Sequence, residues 1–242
     1  MSLRDLVNWL KDHYQIVSYS RAVELVQRGP IEIPYLAISF DDGFSTHVNA
    51  ADVLHDLGVS ACFFVCPSVI GIENDSQRES FCRDQLKVDP THFLSWAEIE
   101  RMIEQGHEIG SHTFSHHDLS CIPHEQGMEE ILRAQKTLMD RLGECKHFAW
   151  PYGRFAAITP ELVRAAFDAG HLSCASTEHG WHGEDIDQPR SLCIRREPVE
   201  CDWSKARLTY ALTKRLRYRA GSQSGWPKSW GSTIRPAARQ DV

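Results

Sequence analysis

The sequence of 242 residues lacks several features that define special classes of protein. It has no run of eighteen apolar residues, which excludes a membrane-spanning helix. Its first residues, MSLRDLVNWLKDHYQIVS, carry charges among the apolar positions and lack the compact apolar block of a secretory signal, which predicts a cytoplasmic protein. There is also no tandem repeat and no low-complexity linker. With 42% hydrophobic and 24% charged residues, the composition is that of an ordinary globular protein.

The eight cysteines include no Cys-x-x-Cys pair. An even number of cysteines suggests disulfides in a small exported chain, but this chain is larger and shows no export signal. Cys62 and Cys66 flank the residues FFV at a spacing that places both on one face of a buried strand. We therefore expect the thiols to be reduced residues of the core.

The net charge of −7 is unevenly distributed. Residues 204–242 contain nine Lys and Arg and one Asp, a balance of +8, so the other 203 residues carry −15. Within 204–219, Leu208, Leu212 and Leu216 recur at helical spacing among cations. Either this is the last helix of the domain with its leucines inward, which we favour, or it makes a peripheral contact with an anionic inner membrane surface. The acidic remainder of the chain argues against nucleic acid as a partner.

Hydrophobic periodicity switches repeatedly between about two and about 3.6 residues, which predicts alternating strands and helices. This alternation favours a parallel sheet, either a barrel or a doubly wound sheet. The predicted strands are 15–18, 35–40, 60–65, 107–110, 147–150, 172–176 and 192–194, and the predicted helices are 47–57, 97–105, 124–142 and a segment from Pro160 to Gly170.

Two further segments define the predicted organisation of the chain. Residues 71–92 form a long polar insertion, and loops of this length usually have a function. We expect one domain over residues 1–220. The turn-rich composition of residues 221–242 predicts a disordered tail.

Polar residues with metal-binding chemistry follow two of the predicted strands. The strand YLAISF ends in Asp41-Asp42-Gly43, and the strand HEIG is followed by His112 and His116, four residues apart. In parallel α/β folds, the carboxyl ends of the strands carry the chemistry. One carboxylate and two imidazoles form a three-ligand site for a divalent ion, typically Zn²⁺, that leaves a position for water. The second carboxylate is then free to act as a base.

These stretches carry a resemblance to a known family. SFDDGF resembles the first motif, HTFSH the second, and FAWPYG (148–153) the third motif of the polysaccharide deacetylases, the NodB-homology domain or carbohydrate esterase family four. The resemblance covers roughly residues 3–200 and implies a distorted (β/α) barrel of about seven parallel strands. It also implies metal-dependent removal of acetyl groups from the N-acetylhexosamine units of a polysaccharide or a lipid-linked glycan.

The resemblance implies roles for individual residues. Asp42, His112 and His116 would bind the metal, expected to be Zn²⁺ with Co²⁺ or Ni²⁺ as substitutes, and Asp41 would be the general base. The backbone N–H of Tyr152 would hold the oxyanion. The third motif, through Trp150, Pro151 and Tyr152, would line the sugar groove.

The sequence departs from the family pattern at two places. Many members carry an Arg in the third motif and a late His, whereas this chain has Ala149 and the late motif SLCIRREPV. These departures resemble a subgroup with a FAYPYG-like third motif, and we expect Arg196 to supply a guanidinium beside Asp41 from the opposite side of the barrel. A surface position for Arg196 is the alternative. For the general acid, Asp41 ranks first and His179 second.

Two other functions stay open at this point. One is a catalytically silent carbohydrate-binding barrel that retains the metal site. The other is an O-acetyl esterase, because a leaving alcohol needs less help from a general acid than a leaving amine.

Overall fold

We describe a computed structural model of the chain over residues 1–182, 191–214, 225–230 and 233–234. Its centre is a curled sheet of six parallel strands with helices packed around it, and the strand order follows the chain. The strands of this sheet are β3 (Ile38–Phe40), β4 (Ala61–Val65), β5 (Glu108–Ser111), β6 (His147–Ala149), β7 (Ser173–Ser176) and β8 (Leu192–Arg195). A separate two-stranded parallel sheet pairs β1 (Gln15–Ile16) with β2 (Tyr35–Leu36).

Eight helices lie in the described ranges and surround the sheet. They are α1 (Leu3–Lys11), α2 (Tyr19–Arg28), α3 (His47–Asp56), α4 (Asp75–Phe81), α5 (Trp96–Glu104), α6 (His124–Leu142), α7 (Pro160–Asp168) and α8 (Lys205–Lys214). Several begin at the residues that their sequence signals indicate. Ser95 caps α5 in a capping box with Glu98, and Thr159 caps α7 directly before Pro160.

The main sheet is buried on both faces, and its side chains form the centre of the hydrophobic core. The strand β4 reads ACFFV and is buried at all five positions, as expected for a parallel strand covered on both sides. Met102, Leu138 and Ile99 from the surrounding helices pack against one face. Because the six strands run in parallel, their carboxyl ends meet at one edge of the sheet, where polar residues can converge.

The α/β class and the parallel sheet are confirmed, with two differences in detail. The predicted strand 35–40 is divided at Ala37 into β2 and β3, which belong to different sheets. The predicted seven strands therefore become six in the main sheet and two in the small one. The edge strands β3 and β8 do not pair with each other in the described structure. Residues of both strands line a cavity of about 780 Å³ that reaches Asp41 and Arg196.

The insertion at residues 71–92 contains more structure than a loop. Asn74 caps α4, and a five-residue π-helical turn (Cys82–Leu86) follows directly. Cys82 and Phe81 pack with Phe93 in a small apolar cluster. The apolar residues of this polar segment therefore anchor it to the rest of the domain.

Of the segment 221–242, predicted to be a disordered tail, the structure describes residues 225–230 and 233–234, and the prediction for the other residues is not tested. Trp226 and Ile234 are buried, and the Trp226 indole N–H donates to the Ser191 carbonyl at 2.6 Å. Trp226 also stacks on Trp150 with ring centroids 5.8 Å apart. The composition missed this because three widely spaced apolar side chains, including Trp230, hold a segment that is otherwise polar.

The leucines of α8 face the domain. Leu208 is fully buried, and Leu212 packs with Leu6 and Leu10 of α1, so the inward orientation that we favoured holds for both. Leu216 lies outside the described residues. None of the helices in the described ranges combines the length and the apolar character that a membrane crossing requires.

Most of the cysteines lie in the core, as the sequence predicts. All eight are free, and six of them are buried. Cys121 and Cys201 are exposed, and these two therefore differ from the expectation of a core position.

Candidate active site

Four strand ends bring the predicted site residues together at one edge of the sheet. Asp41 and Asp42 follow β3, His112 follows β5, Tyr152 comes three residues after β6, and Arg196 follows β8. The register aligns these ends, since Phe40 pairs with Phe63 and Val65 with Ser111 along the neighbouring strands. His116 joins them through the turn that continues from β5.

Asp42, His112 and His116 form a compact three-ligand cluster. Their ligand atoms all lie within 4.8 Å of one another. Asp42 Oδ1 is 3.4 Å from His112 Nε2 and 3.1 Å from His116 Nε2. A tetrahedral ion with bonds of about 2.0–2.2 Å holds its ligand atoms about 3.3–3.6 Å apart. The observed spacings are close to those of a tetrahedral zinc site.

The surroundings of the cluster also fit a cation. Asp42 Oδ1 is buried and accepts no hydrogen bond that satisfies normal geometry in the described structure. Such an orphaned carboxylate oxygen is costly unless a positive charge neutralises it. The His112 ring donates from Nδ1 to the Ala149 carbonyl at 2.8 Å, which leaves the Nε2 lone pair for a metal.

Electrostatics support the same conclusion. Burial works to raise the pKa of Asp42, but the close approach and the charge of His112 and His116 outweigh it, and the pKa is well below its ordinary value. Burial works to lower the pKa of His112, yet the carboxylates of Asp41 and Asp42 outweigh it, and the pKa is raised. Two adjacent carboxylates thus create a negative potential that attracts a proton or a metal ion.

Asp41 is held by the guanidinium of Arg196. Arg196 Nη1 donates to Asp41 Oδ1 at 2.6 Å, and Nη2 donates to Oδ2 at 2.8 Å. Arg196 is fixed in turn by the Ser176 carbonyl and the Ser39 hydroxyl, each at 3.2 Å. Burial works to raise the pKa of Asp41, but the charges of Arg196 and His112 outweigh it, so the pKa is lowered and Asp41 is ionised at neutral pH. The structure thus places Arg196 beside Asp41 from the far edge of the sheet.

Tyr152 stands at the rim of the cluster. Its ring packs edge-on against the His116 ring, with centroids 5.4 Å apart, and its side chain is 42% exposed. Its hydroxyl donates to the Gln85 carbonyl at 3.0 Å, so the insertion reaches the site. Its carbonyl accepts a hydrogen bond from the Thr177 hydroxyl at 2.9 Å. No described residue accepts a hydrogen bond from the Tyr152 backbone N–H.

The structure overturns the groove-lining position of Trp150 and Pro151. Trp150 is fully buried, and its indole N–H donates to the Arg154 carbonyl at 2.9 Å. Pro151 is buried as well. The side chain of Trp150 packs with Phe155 and Trp226, and burial of its large apolar ring favours this position. Of the third-motif residues, only Tyr152 presents a ring to a ligand.

His179, the second candidate for the general acid, contacts a carboxylate other than Asp41. Its Nδ1 is 2.9 Å from Glu197 Oε2, and its side chain is 46% exposed. Its carbonyl accepts a hydrogen bond from Arg195 at 3.0 Å. The structure thus links His179 to the residue that follows Arg196 and shows no contact between His179 and Asp41.

Sequence reasoning missed Glu130. This residue lies on α6, is 8% exposed, and accepts two hydrogen bonds from Ser115, which directly precedes His116. The sequence feature that could have revealed Glu130 is a carboxylate on the buried face of an amphipathic helix. Glu130 lies next to Ile131 and one turn before Ala134.

The fold and the site define the class: this is a parallel α/β protein with a buried carboxylate–imidazole cluster at the carboxyl edge of its sheet. Within that class, the chain belongs to the polysaccharide deacetylase family, whose family model matches residues 28–172.

Relatives and solved structures agree with this assignment. A chitooligosaccharide deacetylase of Sinorhizobium fredii is 30% identical over 134 residues, 53% of this chain and 51% of the relative. The putative polysaccharide deacetylase YxkH of Bacillus subtilis is 26% identical over 184 residues, 74% of this chain and 58% of the relative. The chain thus spans somewhat more than half the length of these two relatives.

Two solved structures show the same fold. IcaB from Ammonifex degensii superposes with a TM-score of 0.67 at 20% identity, covering 83% of each chain. The deacetylase PplD of Streptococcus pyogenes, solved in complex with acetate, superposes with a TM-score of 0.67 at 16% identity, covering 86% of this chain and 84% of PplD. At these identities the likeness establishes the fold.

Proposed function

We propose that this protein is a metal-dependent deacetylase that removes acetyl groups from N-acetylhexosamine units of a glycan. The observation that carries the proposal is the juxtaposition of two groups. One is the three-ligand cluster of Asp42, His112 and His116, and the other is the ionised pair of Asp41 with Arg196. Family membership supports the reaction class.

Asp42, His112 and His116 would hold the ion, which we expect to be Zn²⁺, with Co²⁺ or Ni²⁺ as substitutes. Such an ion polarises the acetyl carbonyl and makes water more acidic. Two imidazoles and one carboxylate match the ligand preferences of zinc and leave room for a further ligand.

Asp41 is the proposed general base. Its side chain is 28% exposed, so water can approach it. Each of its oxygens accepts one hydrogen bond from Arg196 and keeps a further lone pair that can take the proton of an attacking water. The two parallel hydrogen bonds fix the carboxylate plane, which orients the base toward the cluster.

Tyr152 would stabilise the developing negative charge. Its backbone N–H is uncommitted in the described structure, while its carbonyl is held by Thr177. A well-placed donor of this kind contributes about 3–4 kcal/mol to the transition state. The exposed Tyr152 ring, fixed by its bond to Gln85, offers an apolar face to a sugar.

The leaving amine needs a proton. Asp41 receives a proton from water in the first step, and returning that proton would release the amine without a second residue. His179 is the second candidate, held through Glu197.

Acetate release from N-acetylated chitooligosaccharides tests the proposal. We expect activity with Zn²⁺ that EDTA abolishes and added metal restores. Asp41→Asn should lower kcat by at least about 10²-fold, the usual effect of losing a general base. Asp140→Asn, on the exposed face of α6, is the matched control and should leave the rate unchanged.

Two outcomes would replace the proposal with its alternatives. Glycan binding without acetate release would indicate a silent carbohydrate-binding protein. Acetate release from O-acetyl esters alone would indicate an esterase.

A further inference from the structure

The two histidines of the cluster are held in different ways. The His112 ring is fixed through its Nδ1, which donates to the Ala149 carbonyl. The His116 Nδ1 is buried and has no hydrogen-bond partner among the residues that the structure describes. Metal-binding histidines generally fix the ring through this second nitrogen. The His116 ring contacts the rings of His112 and Tyr152, and beyond these contacts its orientation depends on the backbone that carries it.

That backbone is strained. Thr113 has a φ of 64° and His116 a φ of 57°, in the left-handed region that non-glycine residues avoid. Such a conformation is unfavourable for a non-glycine residue, and it persists only where its surroundings hold it. A hydrogen bond from His116 N to Thr113 Oγ1 at 3.1 Å ties the turn to itself, but it does not attach the turn to the domain.

Two residues outside the turn provide that attachment. The Ser68 backbone N–H donates to the Phe114 carbonyl at 3.0 Å, and Glu130 on α6 makes the other contacts. Its carboxylate accepts from the Ser115 backbone N–H at 2.7 Å and from the Ser115 hydroxyl at 2.6 Å. Its main-chain carbonyl accepts from Phe114 N–H at 3.0 Å. One turn later, the Arg133 guanidinium lies 3.8 Å from the centre of the Phe114 ring. Glu130 therefore holds both residues between the strained Thr113 and His116.

We infer that Glu130 is a positioning residue for the metal ligand His116. This inference rests on the proposed function, in which Asp42, His112 and His116 bind the metal. A carboxylate suits this task because its two oxygens accept both Ser115 donors at once, with charge-assisted strength. Glutamine has one acceptor oxygen, and aspartate would retract both oxygens by one methylene. Loss of these hydrogen bonds would loosen the turn and let His116 Nε2 move away from Asp42, and the effect should grow with the number of bonds lost.

Zinc affinity, measured by competition with a chromophoric chelator on metal-free protein, tests this inference. Glu130→Gln should weaken Zn²⁺ binding at least about tenfold, the usual effect of losing an outer-shell partner of a ligand. Ser115→Ala, which keeps the backbone bond, should weaken it by a smaller factor. In the double variant the two effects should not multiply, because both remove one shared interaction.

Glu129→Gln is the matched control, since Glu129 is the exposed neighbour on the same helix. It should bind Zn²⁺ as the unmodified protein does. A circular dichroism melt of each metal-free variant shows whether it is folded, and if Glu130→Gln does not fold, Ser115→Ala gives the answer. Affinities of the folded Glu130 and Ser115 variants within twofold of the unmodified protein would overturn the inference.

Failure of the proposed function gives a different result. Unmodified protein that binds Zn²⁺ tightly but releases no acetate contradicts the deacetylase, while the role of Glu130 is still decided by the affinities. Unmodified protein that does not bind Zn²⁺ overturns the metal site and the inference together.

Discussion

At the scale of single residues, backbone strain is concentrated where the chemistry would occur. Five non-glycine residues in the described structure have a φ in the left-handed region, and four of them, Asp42, Thr113, His116 and Tyr152, belong to the site or its turn. Each projects a side chain or an N–H group in a direction that ordinary strand or helix geometry does not allow. The surrounding hydrogen bonds hold these conformations, and the strained positions mark the site independently of its motifs.

Arg196 gives a prediction at this scale. In Arg196→Gln, burial of Asp41 is no longer offset by a guanidinium, so the pKa of Asp41 should rise. The base acts only when ionised, and activity appears as the pH rises through its pKa. The acid limb of the kcat/KM profile should therefore move to higher pH, and kcat should fall because the carboxylate loses its orientation.

The control for this measurement is Arg164→Gln, a half-exposed arginine on α7 that pairs with Asp168. It should leave the pH profile unchanged. An acid limb that stays in place in Arg196→Gln would mean that Asp41 is not the titrating base or that Arg196 does not control it.

At the scale of elements, two segments outside the main sheet bear on the site. The insertion with α4 reaches Tyr152 through the Gln85 carbonyl. The C-terminal segment around Trp226 covers Trp150, which follows β6 and precedes Tyr152. Its backbone comes so close to Cys193 of β8 that Gly225, with a φ of 86°, has no room for a side chain. Both segments therefore support the third motif from outside the six strands.

The packing of Trp226 predicts a large effect on stability. Trp226→Ala removes a fully buried indole, its stacking on Trp150 and its hydrogen bond to Ser191. We expect the free energy of unfolding to fall by about 3–5 kcal/mol, as for other buried aromatic truncations. Urea unfolding of the unmodified protein and of Trp226→Ala measures this loss of stability.

Tyr210→Ala, at a position 58% exposed on α8, serves as the comparison and should cost little. A loss below about 1 kcal/mol in Trp226→Ala would show that the segment does not pack as described.

At the scale of the whole molecule, the sheet is open between β3 and β8, and the Asp41–Arg196 pair bridges these two edges at the carboxyl end. A second polar cluster lies at the opposite, amino-terminal end of the strands. There the Glu108 carboxylate accepts hydrogen bonds from Ser20 at the start of α2, and the His147 Nε2 lies 3.5 Å from it. His147 in turn bonds to Ser173 of β7 at 2.9 Å. This cluster connects α2 to three neighbouring strands.

Glu108 makes the stability of the molecule depend on pH. Burial works to raise its pKa, but hydrogen bonds from His147 and Ser20 outweigh it and lower the pKa from 4.5 to about 2. A depressed pKa in the folded state adds stability that is present above about pH 4.5 and is lost as the pH falls toward 2. The difference corresponds to about 3 kcal/mol at neutral pH.

Urea unfolding of the unmodified protein and of Glu108→Gln between pH 2 and pH 7 measures this contribution. The stability difference between the two should shrink by about 3 kcal/mol as the pH falls through this range. Glu104→Gln, an exposed position on α5, should show a small difference at every pH. A constant difference for Glu108→Gln would contradict the prediction.

The sequence by itself determined the class of fold and the residues of the cluster. Periodicity predicted the parallel strands, and Asp41-Asp42-Gly43 with His112 and His116 predicted a site, because strand ends and ligand spacing are local properties.

Only the tertiary structure decided the contacts between distant parts of the chain. It decided between the two positions open to Arg196, beside Asp41 or at the surface, by pairing it with Asp41, 155 positions away, and it paired Ser115 with Glu130. It also buried Trp150 under Trp226, although both lie in stretches that read as exposed. Such contacts depend on which faces the packed core leaves free, and no local pattern in the sequence records that choice.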